Sequence, residues 1–341
     1  MSITIKEIAD KANVSTATVS MVINNKPGIS LVTRERVLDI VRSLGYNPSP
    51  LKNSGTKHNG TIQLTVYKKH SQVVADTAFF EALIFGIETT ARLNGYQLTI
   101  KSVSGDMLNT DLARAEWDDD TVEGILFLGT EMDRDDMLRV LKIDKPILVL
   151  DTYFLGICAN YVVIDNINGV FMGVNHLIEK GHKNIGYLKS SVTIQNFIER
   201  YEGYVKAMNG SNFDINPEYT VPLNPTIEGA YRDMYSYLSK KPGVPTAFFA
   251  DNDIIACGAM KAMKEAGIKV PQDISIIGFD DMPFCTIIEP TLSTIGVNKK
   301  MLGTLAVENL IGLIAGDNNY HAKTLLGVDL ILRDSAISVK G

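Results

Sequence analysis

The chain has few of the features that would place it outside the cell or in a membrane. Its 341 residues include three cysteines, Cys158, Cys257 and Cys285, which are far apart and odd in number. They form neither a disulfide framework nor a zinc motif, so the composition predicts a cytoplasmic protein. No apolar run approaches the roughly 20 residues that span a bilayer. The first residues do not combine a charged segment with an apolar core, as a secretory signal does. We therefore expect no membrane partner.

The chain also lacks an excess of positive charge, which argues against a nucleic-acid partner if the charge is taken as one number. Its 33 Lys and Arg residues oppose 39 Asp and Glu residues, giving a net charge of −6. Residues 1–60 nevertheless carry eight basic and four acidic residues, a balance of +4, so the remainder carries −10. This asymmetry is typical of a basic DNA-binding module joined to an acidic body, although short segments also vary by a few charges.

The remaining composition is that of a globular protein. Hydrophobic residues make up 45% of the chain and charged residues 21%, which excludes disordered and fibrous classes. At roughly 150 residues per domain, the length predicts two or three domains.

The first 47 residues carry three short helical patterns. Thr4 and Glu7 fit a capping box that opens a helix ending near Ala12. Ser15 is a suitable N-cap for a second helix, and a third runs over residues 33–44. The apolar positions with helical spacing are Ile5, Ile8, Ala9, Ala12, Val19, Val22, Ile23, Val37, Ile40, Val41 and Leu44. The short turn between the first two helices predicts a helix-turn-helix.

A helix-turn-helix places the N-terminal end of its second helix in the DNA major groove. Small and polar residues there let the backbone approach base edges and phosphates. The residues that meet this requirement are Ser15, Thr16, Ala17, Thr18 and Ser20. A three-helix bundle with no role in DNA binding has the same pattern, so pattern alone leaves both interpretations open.

Five motifs follow one another with fixed spacing in this module. They are TIKEIA at 4–9, ANVSTATVS at 12–20, VIN at 22–24, TRERV at 33–37 and LGYNP at 44–48. Together they resemble the DNA-binding head of lactose/galactose-repressor-type (LacI-type) transcriptional regulators. The resemblance implies base-facing positions at Thr16, Ala17 and Met21. It also implies residues near phosphates at Ser15, Thr18, Ser20, Asn24 and Ser30.

Met21 departs from the family pattern. Many members carry Arg at this position, which can donate two hydrogen bonds to guanine. Methionine offers apolar contact, for instance to a thymine methyl group. We predict a DNA site that does not depend on guanine at that base step.

The linker, residues 48–60, departs as well. In the family a short hinge helix here inserts a Leu wedge into the minor groove, which kinks the DNA. The usual Ala-Arg-x-Leu pattern is absent, and residues 53–55 (Asn-Ser-Gly) have poor helix propensity. Either the hinge forms weakly, leaving Lys52 and Lys57 as phosphate contacts, or Leu51 acts as the wedge from a shifted helix. We favour the first interpretation.

From residue 61 onward, short β-branched runs alternate with helical patterns. The predicted strands are Ile62–Tyr67, Gln97–Ser102, Gly124–Leu128, Ile147–Leu150, Ile185–Leu188, Ala247–Ala250 and Ile274–Gly278. The predicted helices are Phe79–Leu93, Leu112–Trp117, Met132–Leu141, Gly169–Lys180, Glu199–Met208, Glu228–Leu238 and Ile254–Ala266. Repeated βα units predict doubly wound parallel sheets covered by helices on both faces, here in two lobes. Because ligands bind beyond the carboxyl ends of such strands, we expect a site in the cleft between the lobes.

Further motifs in this body resemble the family's effector-binding core, which is similar to periplasmic sugar-binding proteins. They are DN at 165–166, GHKNI at 181–185, RYEGY at 200–204, ND at 252–253, VPQDISIIGFDD at 270–281, PTLSTI at 290–295 and LRDS at 332–335. The resemblance implies a head at 1–47, the linker at 48–60 and a core at 61–341. It also implies chain crossings near residues 160, 290 and 322. The first lobe would then hold residues 61–160 and 291–321, and the second 161–290 and 322–341.

The same resemblance implies a set of effector-binding residues. Polyhydroxylated ligands need donors and acceptors on rigid supports together with an apolar or aromatic face. Asp280 follows a buried strand and can accept from two vicinal hydroxyls, and the planar fork of Arg200 suits hydroxyl pairs or a carboxylate. The other matching positions are Tyr67, Asp151, Asn196 and Asn252. Each of these residues has an ordinary alternative as a capping or surface residue. We interpret the single tryptophan, Trp117, as a packing residue.

The effector's identity does not follow from these positions. A sugar or sugar phosphate is the family's commonest class, and nucleosides or purines also occur. The basic run at 68–70 (Lys-Lys-His) could favour an anionic ligand, although a solvated loop explains it equally well.

An enzyme with an accessory DNA-binding head is the opposing hypothesis. The sequence contains no G-x-S-x-G, no phosphate-binding loop and no H-E-x-x-H motif. His176 and His182 are six residues apart, which is not a chelating spacing on one helix face. A simple sugar-binding protein would need an export signal and no helix-turn-helix. We therefore expect a regulator without enzymatic activity, cofactor or metal.

The resemblance implies an allosteric mechanism. A homodimer would present two heads to a palindromic operator, and effector would close the cleft and rotate one lobe. Linkage requires that operator binding change effector affinity by the same factor. Repression is the family's default, and the sequence leaves open whether the effector releases or promotes DNA binding.

Overall fold

The computed structural model describes residues 5–23, 29–30, 33–34, 36–37, 40–41, 60–74, 78–105, 117, 119–240, 243–316 and 320–339. It contains two units, Met1–Lys57 and His58–Gly341. Within the described ranges, no helix is long and apolar enough to cross a membrane.

The N-terminal unit contains helices α1 (Ile5–Ala12) and α2 (Thr16–Ile23). Asn13 follows α1 with φ of 50°, a left-handed conformation that turns the chain toward α2. Ser15 caps α2, since its Oγ accepts a hydrogen bond from the backbone N–H of Thr18 at 3.1 Å, as predicted. Among the described residues of this unit, the buried hydrophobic side chains are Ile8, Ala9, Ala12, Val19, Val22 and Val37. They confirm the predicted apolar stripes at these positions, with Ile40 and Val41 partly buried beside them, whereas Ile5, Ile23 and Leu44 lie outside the described part, wholly or in their side chains. The capping box at Thr4 lies outside the described residues.

The larger unit alternates strands and helices. In its first half these are β1 (Thr61–Lys68), α3 (Ala78–Leu93), β2 (Gln97–Ser104), β3 (Val122–Leu128), α4 (Arg134–Val140), β4 (Ile147–Leu150), β5 (Tyr161–Ile164) and α5 (Asn166–Glu179). Then follow β6 (Ile185–Ser190), α6 (Gln195–Gly210), β7 (Thr220–Leu223), α7 (Ile227–Ser239), β8 (Ala247–Ala250), α8 (Asp253–Glu265) and β9 (Ser275–Asp280). The last are β10 (Ser293–Gly296), α9 (Lys299–Ile314), β11 (Lys323–Leu326) and β12 (Asp329–Ile331).

The strands form two six-stranded sheets, one in each lobe. The first has the order β11-β5-β4-β3-β1-β2 and the second the order β12-β10-β9-β8-β6-β7. All described strand pairs are parallel except β10 with β12, which is antiparallel. The predicted architecture of two doubly wound lobes is therefore confirmed, with one antiparallel edge strand added.

Helices cover both faces of the first sheet. Helices α3 and α9 pack on one face and α4 on the other. Two glycines allow α3 and α9 to approach closely. A Cβ on Gly86 would lie 2.3 Å from the carbonyl oxygen of Lys300, and a Cβ on Gly303 would lie 2.5 Å from that of Leu83. Trp117 is 5% exposed and packs near Phe127, as expected for a packing residue.

The chain crosses between the lobes three times, but later than predicted. Strand β5 belongs to the first sheet, β10 to the second, and β11 to the first. The crossings therefore follow residues 164, 296 and 326, four to six residues beyond the predicted positions. The sequence did not mark these short strands, because their sheet membership depends on pairing with distant strands.

Some elements were not predicted at all. The sequence patterns missed β5, β7, β10, β11, β12 and α9. The predicted helix at 112–117 lies outside the described residues except for Trp117. The bounds of the other predicted helices of the larger unit agree with the structure within four residues, whereas much of the predicted helix at 33–44 lies outside the described residues.

Candidate effector-binding cleft

Polar side chains follow the carboxyl ends of three strands. Asp151 comes after β4, Asn252 after β8, and Asp280 is the last residue of β9. Because parallel strands present their carboxyl ends at one edge of a sheet, these residues lie where the two lobes face each other. They line a small cavity of about 50 Å³ between the lobes.

The structure brings five of the six predicted effector residues together. Residues that line this cavity include Asp151, Asn196, Arg200, Asn252 and Asp280. The sequence reasoning missed the aromatic side chains of Phe79, Phe80 and Phe197, which also line it. These three give the cavity an aromatic surface. The sequence feature that could have identified them is their position near helix starts. Phe79 and Phe80 lie at the start of α3, and Phe197 lies in the first turn of α6.

Tyr67 is not one of the cavity-lining residues. Its side chain is 0% exposed and packs with Trp117, Val103 and Met137 on the α4 face of the first sheet. Side chains alternate along a strand, so Val66 faces the α3 side and Tyr67 the opposite side. The prediction that Tyr67 faces the cleft is therefore corrected.

Arg200 is the central polar residue of the second lobe and is 3% exposed. Its Nε donates to Asn166 Oδ1 at 2.9 Å, Nη1 to the carbonyl oxygen of Asp251 at 2.6 Å, and Nη2 to Asp280 Oδ1 at 3.1 Å. Its guanidinium carbon lies 3.7 Å from the ring centroid of Phe279. A guanidinium has five N–H donors, and three serve these contacts. Two of its N–H groups therefore have no acceptor among the described residues.

Asp151 connects the two lobes. Its Oδ2 accepts from the Thr130 hydroxyl at 2.6 Å, and its Oδ1 accepts from Asn196 Nδ2 of the second lobe at 3.0 Å. Burial raises the pKa of Asp151 to about 6, although Thr130, Arg200 and Asn196 act to lower it. Its φ of 66° is uncommon for a residue other than glycine, and such outliers cluster at functional sites.

Asn252 and Asp280 complete the polar wall. Asn252 Oδ1 caps α8 by accepting from the N–H of Ile255 at 3.0 Å. The ordinary capping role is therefore real for this residue, but its amide nitrogen has no acceptor among the described residues. Burial raises the pKa of Asp280, while Arg200 and Lys299 act to lower it.

A second anchoring residue, Glu131, was missed by the sequence reasoning. It follows β3, is 3% exposed, and accepts hydrogen bonds from five backbone N–H groups of the loop after β1. Its Oε2 accepts from residues 69, 70 and 71, and its Oε1 from residues 73 and 74, all at 2.8–3.0 Å. Val73 of this loop lines the cavity. Glu131 therefore holds one rim of the cleft in place.

Two of the three basic residues at 68–70 lie against carboxylates of the first lobe. Lys69 Nζ donates to Asp133 and, at 3.0 Å, to Asp136. His70 Nδ1 lies 3.2 Å from Glu131 Oε1. Lys69 and His70 therefore do not support the interpretation of this run as an anion-binding feature.

A larger cavity of about 620 Å³ lies on the second lobe, beside the C-terminal end of α8. Its lining includes Lys261, Lys264 and Lys269. It contains none of the predicted effector residues and no carboxylate cluster at strand ends. We therefore assign the candidate site to the smaller cavity, where the converging polar groups lie.

The DNA-facing predictions are placed in part. Thr16 is exposed, whereas Thr18 and Met21 are partly exposed on α2. Ser15 and Ser30 act as caps, since each hydroxyl accepts from the N–H three residues later. The predicted residues that lie outside the described part, wholly or in their side chains, are Ala17, Ser20, Asn24, Leu51 and Lys52.

Comparison with known proteins finds two family models. Residues 4–49 match bacterial regulatory proteins of the lacI family, and residues 174–336 match a periplasmic binding protein-like domain. The ribose operon repressor of Haemophilus influenzae is 32% identical over 339 residues, covering 99% of each chain. The transcriptional repressor CytR of Escherichia coli is 32% identical over 338 residues, covering 97% of this chain and 96% of CytR.

A similar fold occurs in a solved structure, the lac repressor dimer bound to operator and the anti-inducer ONPF. The TM-score is 0.70 at 24% sequence identity, and the match covers 99% of this chain and 100% of the other. At this identity the likeness shows the fold.

Proposed function

Because the chain belongs to the LacI family and is a DNA-binding transcriptional repressor of that family, we propose that a small neutral sugar controls its affinity for operator DNA. The sugar would bind in the cleft among Asp151, Asn196, Arg200, Asn252 and Asp280. The observation that carries this proposal is the convergence of these side chains from both lobes on one cavity.

The charge of the cavity favours a neutral ligand over a sugar phosphate. Two carboxylates, Asp151 and Asp280, line it together with one guanidinium, and Arg200 is already paired with Asp280 at 3.1 Å. A phosphate would therefore meet an excess of negative charge at short range. Carboxylate and amide oxygens accept from sugar hydroxyls, and the rings of Phe79 and Phe197 can pack on the apolar face of a sugar.

The cavity is smaller than the 300–1,000 Å³ typical of ligand pockets. Entry of a sugar therefore requires the lobes or the lining side chains to separate, and the Asp151–Asn196 hydrogen bond is a contact that such opening would break. Binding would then replace that contact with hydroxyl groups of the sugar. This exchange gives the ligand a different affinity for the open and closed arrangements, which allostery requires.

Calorimetric titration tests the effector. The panel is D-ribose, D-glucose, cellobiose, cytidine and D-ribose 5-phosphate, with D-ribose first because of the relative's name. We expect a neutral compound to bind and D-ribose 5-phosphate to bind at least about tenfold more weakly than D-ribose. Asp280→Asn should weaken binding, and the exposed Glu202→Gln, which lies outside the cleft, should not. Tighter binding of the phosphate would contradict the neutral assignment.

The DNA partner is proposed to be a palindromic operator bound by a homodimer. Met21 is partly exposed on α2, and we propose that it contacts base edges through apolar atoms. Selection of binding sites from random DNA should then show no invariant guanine at the base step that Met21 faces. Sedimentation at micromolar concentration should show a dimer, and a purely monomeric chain would contradict this part of the proposal.

The hinge proposal is tested separately. If residues 48–60 form a weak hinge, Leu51→Ala leaves the DNA bend unchanged in a gel-bending or fluorescence assay. Loss of bending in this variant would favour the wedge at Leu51 instead.

The curated relatives are named as repressors, and we infer a regulatory role for this chain in place of an enzymatic one.

A further inference from the structure

The turn at the end of β9 has an unusual backbone. Asp280 has φ of 110° and Asp281 has φ of 51°, so two consecutive residues other than glycine lie in the left-handed region. Such conformations are disfavoured for L residues and persist where the surrounding structure holds them. Asp280 is also a proposed effector contact, so the turn lies directly behind the cleft.

Three cations hold this turn. Arg200 Nη2 donates to Asp280 Oδ1 at 3.1 Å, and Arg333 Nη2 donates to Asp281 Oδ1 at 2.7 Å. Lys299 Nζ donates to the backbone carbonyl oxygens of Asp280 and, at 3.1 Å, of Asp281. The two arginines bind the side-chain carboxylates, whereas Lys299 binds the backbone carbonyl oxygens. These oxygens move when the backbone torsions of the turn change.

Lys299 belongs to the first lobe, whereas the two arginines belong to the second. Arg200 is in α6 and Arg333 follows β12, both in the second lobe, whereas Lys299 is the first residue of α9. Helix α9 packs on the first sheet and against α3. The ammonium also lies 5.6 Å from the ring centroid of Phe79, a cleft residue of the first lobe.

We propose that Lys299 is a positioning residue that couples occupation of the cleft at Asp280 to the arrangement of the two lobes. This inference rests on the proposed function. A ligand that accepts hydrogen bonds from Arg200 or donates them to Asp280 changes how the Asp280 carboxylate is held, and the strained backbone behind it relaxes. The carbonyl oxygens of the turn then move relative to Lys299, and α9 carries that displacement into the first lobe.

Lys299→Met tests the proposal because methionine keeps most of the side-chain length and removes the donors. The control is Lys300→Met, one residue later, whose ammonium is exposed and lies 4.8 Å from the Phe85 ring within the first lobe. Lys299→Arg retains the cation and serves as the conservative variant. All variants are compared as full-length protein.

The first measurement is coupling, the ratio of operator dissociation constants with and without the neutral panel compound that gives the largest calorimetric heat. Lys299→Met should reduce this ratio at least about fivefold, while the compound's own dissociation constant changes less than about threefold. Lys299→Arg should retain most of the coupling, and Lys300→Met should match the wild-type chain. A purely structural role would change stability without this selective loss.

The second measurement needs no ligand. Hydrogen exchange at the backbone amides of Asp281 and Met282 should quicken in Lys299→Met and stay unchanged in Lys300→Met. Unchanged exchange, or wild-type coupling in Lys299→Met, overturns the proposal for Lys299 alone. A wild-type chain that binds none of the panel compounds, or binds one without any change in operator affinity, refutes the effector function, and the Lys299 inference falls with it.

Discussion

Replacement of Glu131 by Gln should release the loop that forms one rim of the cleft. Glu131 is buried, and its two carboxylate oxygens accept from five backbone N–H groups between residues 69 and 74. Burial by itself raises the pKa of Glu131, but the backbone donors outweigh it and hold the pKa below its ordinary value. The group is therefore ionised at neutral pH, and all five hydrogen bonds are charge-assisted.

The magnitude follows from the number of bonds lost. Glutamine has nearly the same shape but one acceptor oxygen, so its NH2 group must face either the two donors at Oε1 or the three at Oε2. At least two hydrogen bonds to a charged group disappear, each worth about 1.5–3 kcal/mol. The expected loss of unfolding free energy is about 3–6 kcal/mol. If the loop opens locally instead, the loss is limited to the free energy of that opening.

Hydrogen exchange of the amides at 69–74 measures the local effect, and urea unfolding measures the global one. Exchange at these amides should quicken strongly in Glu131→Gln, and effector affinity should fall because Val73 of this loop lines the cavity. The control is Glu88→Gln, an exposed carboxylate on α3 that lies 3.7 Å from Arg92. It should change stability by less than about 1 kcal/mol.

The pH dependence gives a further check. Because the folded pKa of Glu131 is lowered from 4.5, its contribution is present above that value and is lost as the pH falls through the folded pKa. Protection of residues 69–74 should therefore decline in acid in the wild-type chain. Equal exchange of these amides in the wild-type chain and Glu131→Gln would refute this reasoning.

Three further predictions concern the cleft and the head. Asp151, with its pKa raised to about 6, should accept better once ionised, so sugar affinity should rise about fourfold from pH 5.5 to 7.5. Calorimetry in Asp151→Asn should show a weaker pH dependence, the remainder coming from Asp280, whose pKa burial also raises, and a flat wild-type profile would contradict the prediction. Arg200→Lys leaves buried acceptors on Asn166 and Asp251 without donors, so the free energy of unfolding in urea should fall by about 3 kcal/mol. The exposed Arg92→Lys should change it little, and equal stabilities of the two variants would count against the network. Ser15→Ala should destabilise α2 by about 1 kcal/mol, seen as faster amide exchange over Thr16–Ile23; unchanged exchange would exclude a capping role.

The sequence by itself determined the local features. Ser15 and the apolar stripe of Val19 and Val22 follow from capping and from the 3.6-residue period, which involve near neighbours in the chain. The alternation of strands and helices predicted two doubly wound lobes. It also predicted a site in the cleft, because parallel strands end at one edge of each sheet, while the individual effector residues were implied by the resemblance to the family. Asp151, Asn252 and Asp280 line the cavity for this reason, whereas Asn196 and Arg200 reach it from α6.

The tertiary structure decided what depends on distant pairing. Strand β5 joins the first sheet through contacts with β4 and β11, and the latter lies some 160 residues later in the chain. Sheet register turned Tyr67 into the core, and long-range contacts joined Asp151 to Asn196 across 45 residues and Glu131 to a loop about 60 residues earlier. No local pattern encodes these contacts, since each forms only when two separate segments bury their surfaces together. The charge of the cleft, on which the proposal of a neutral sugar rests, depends on such pairings.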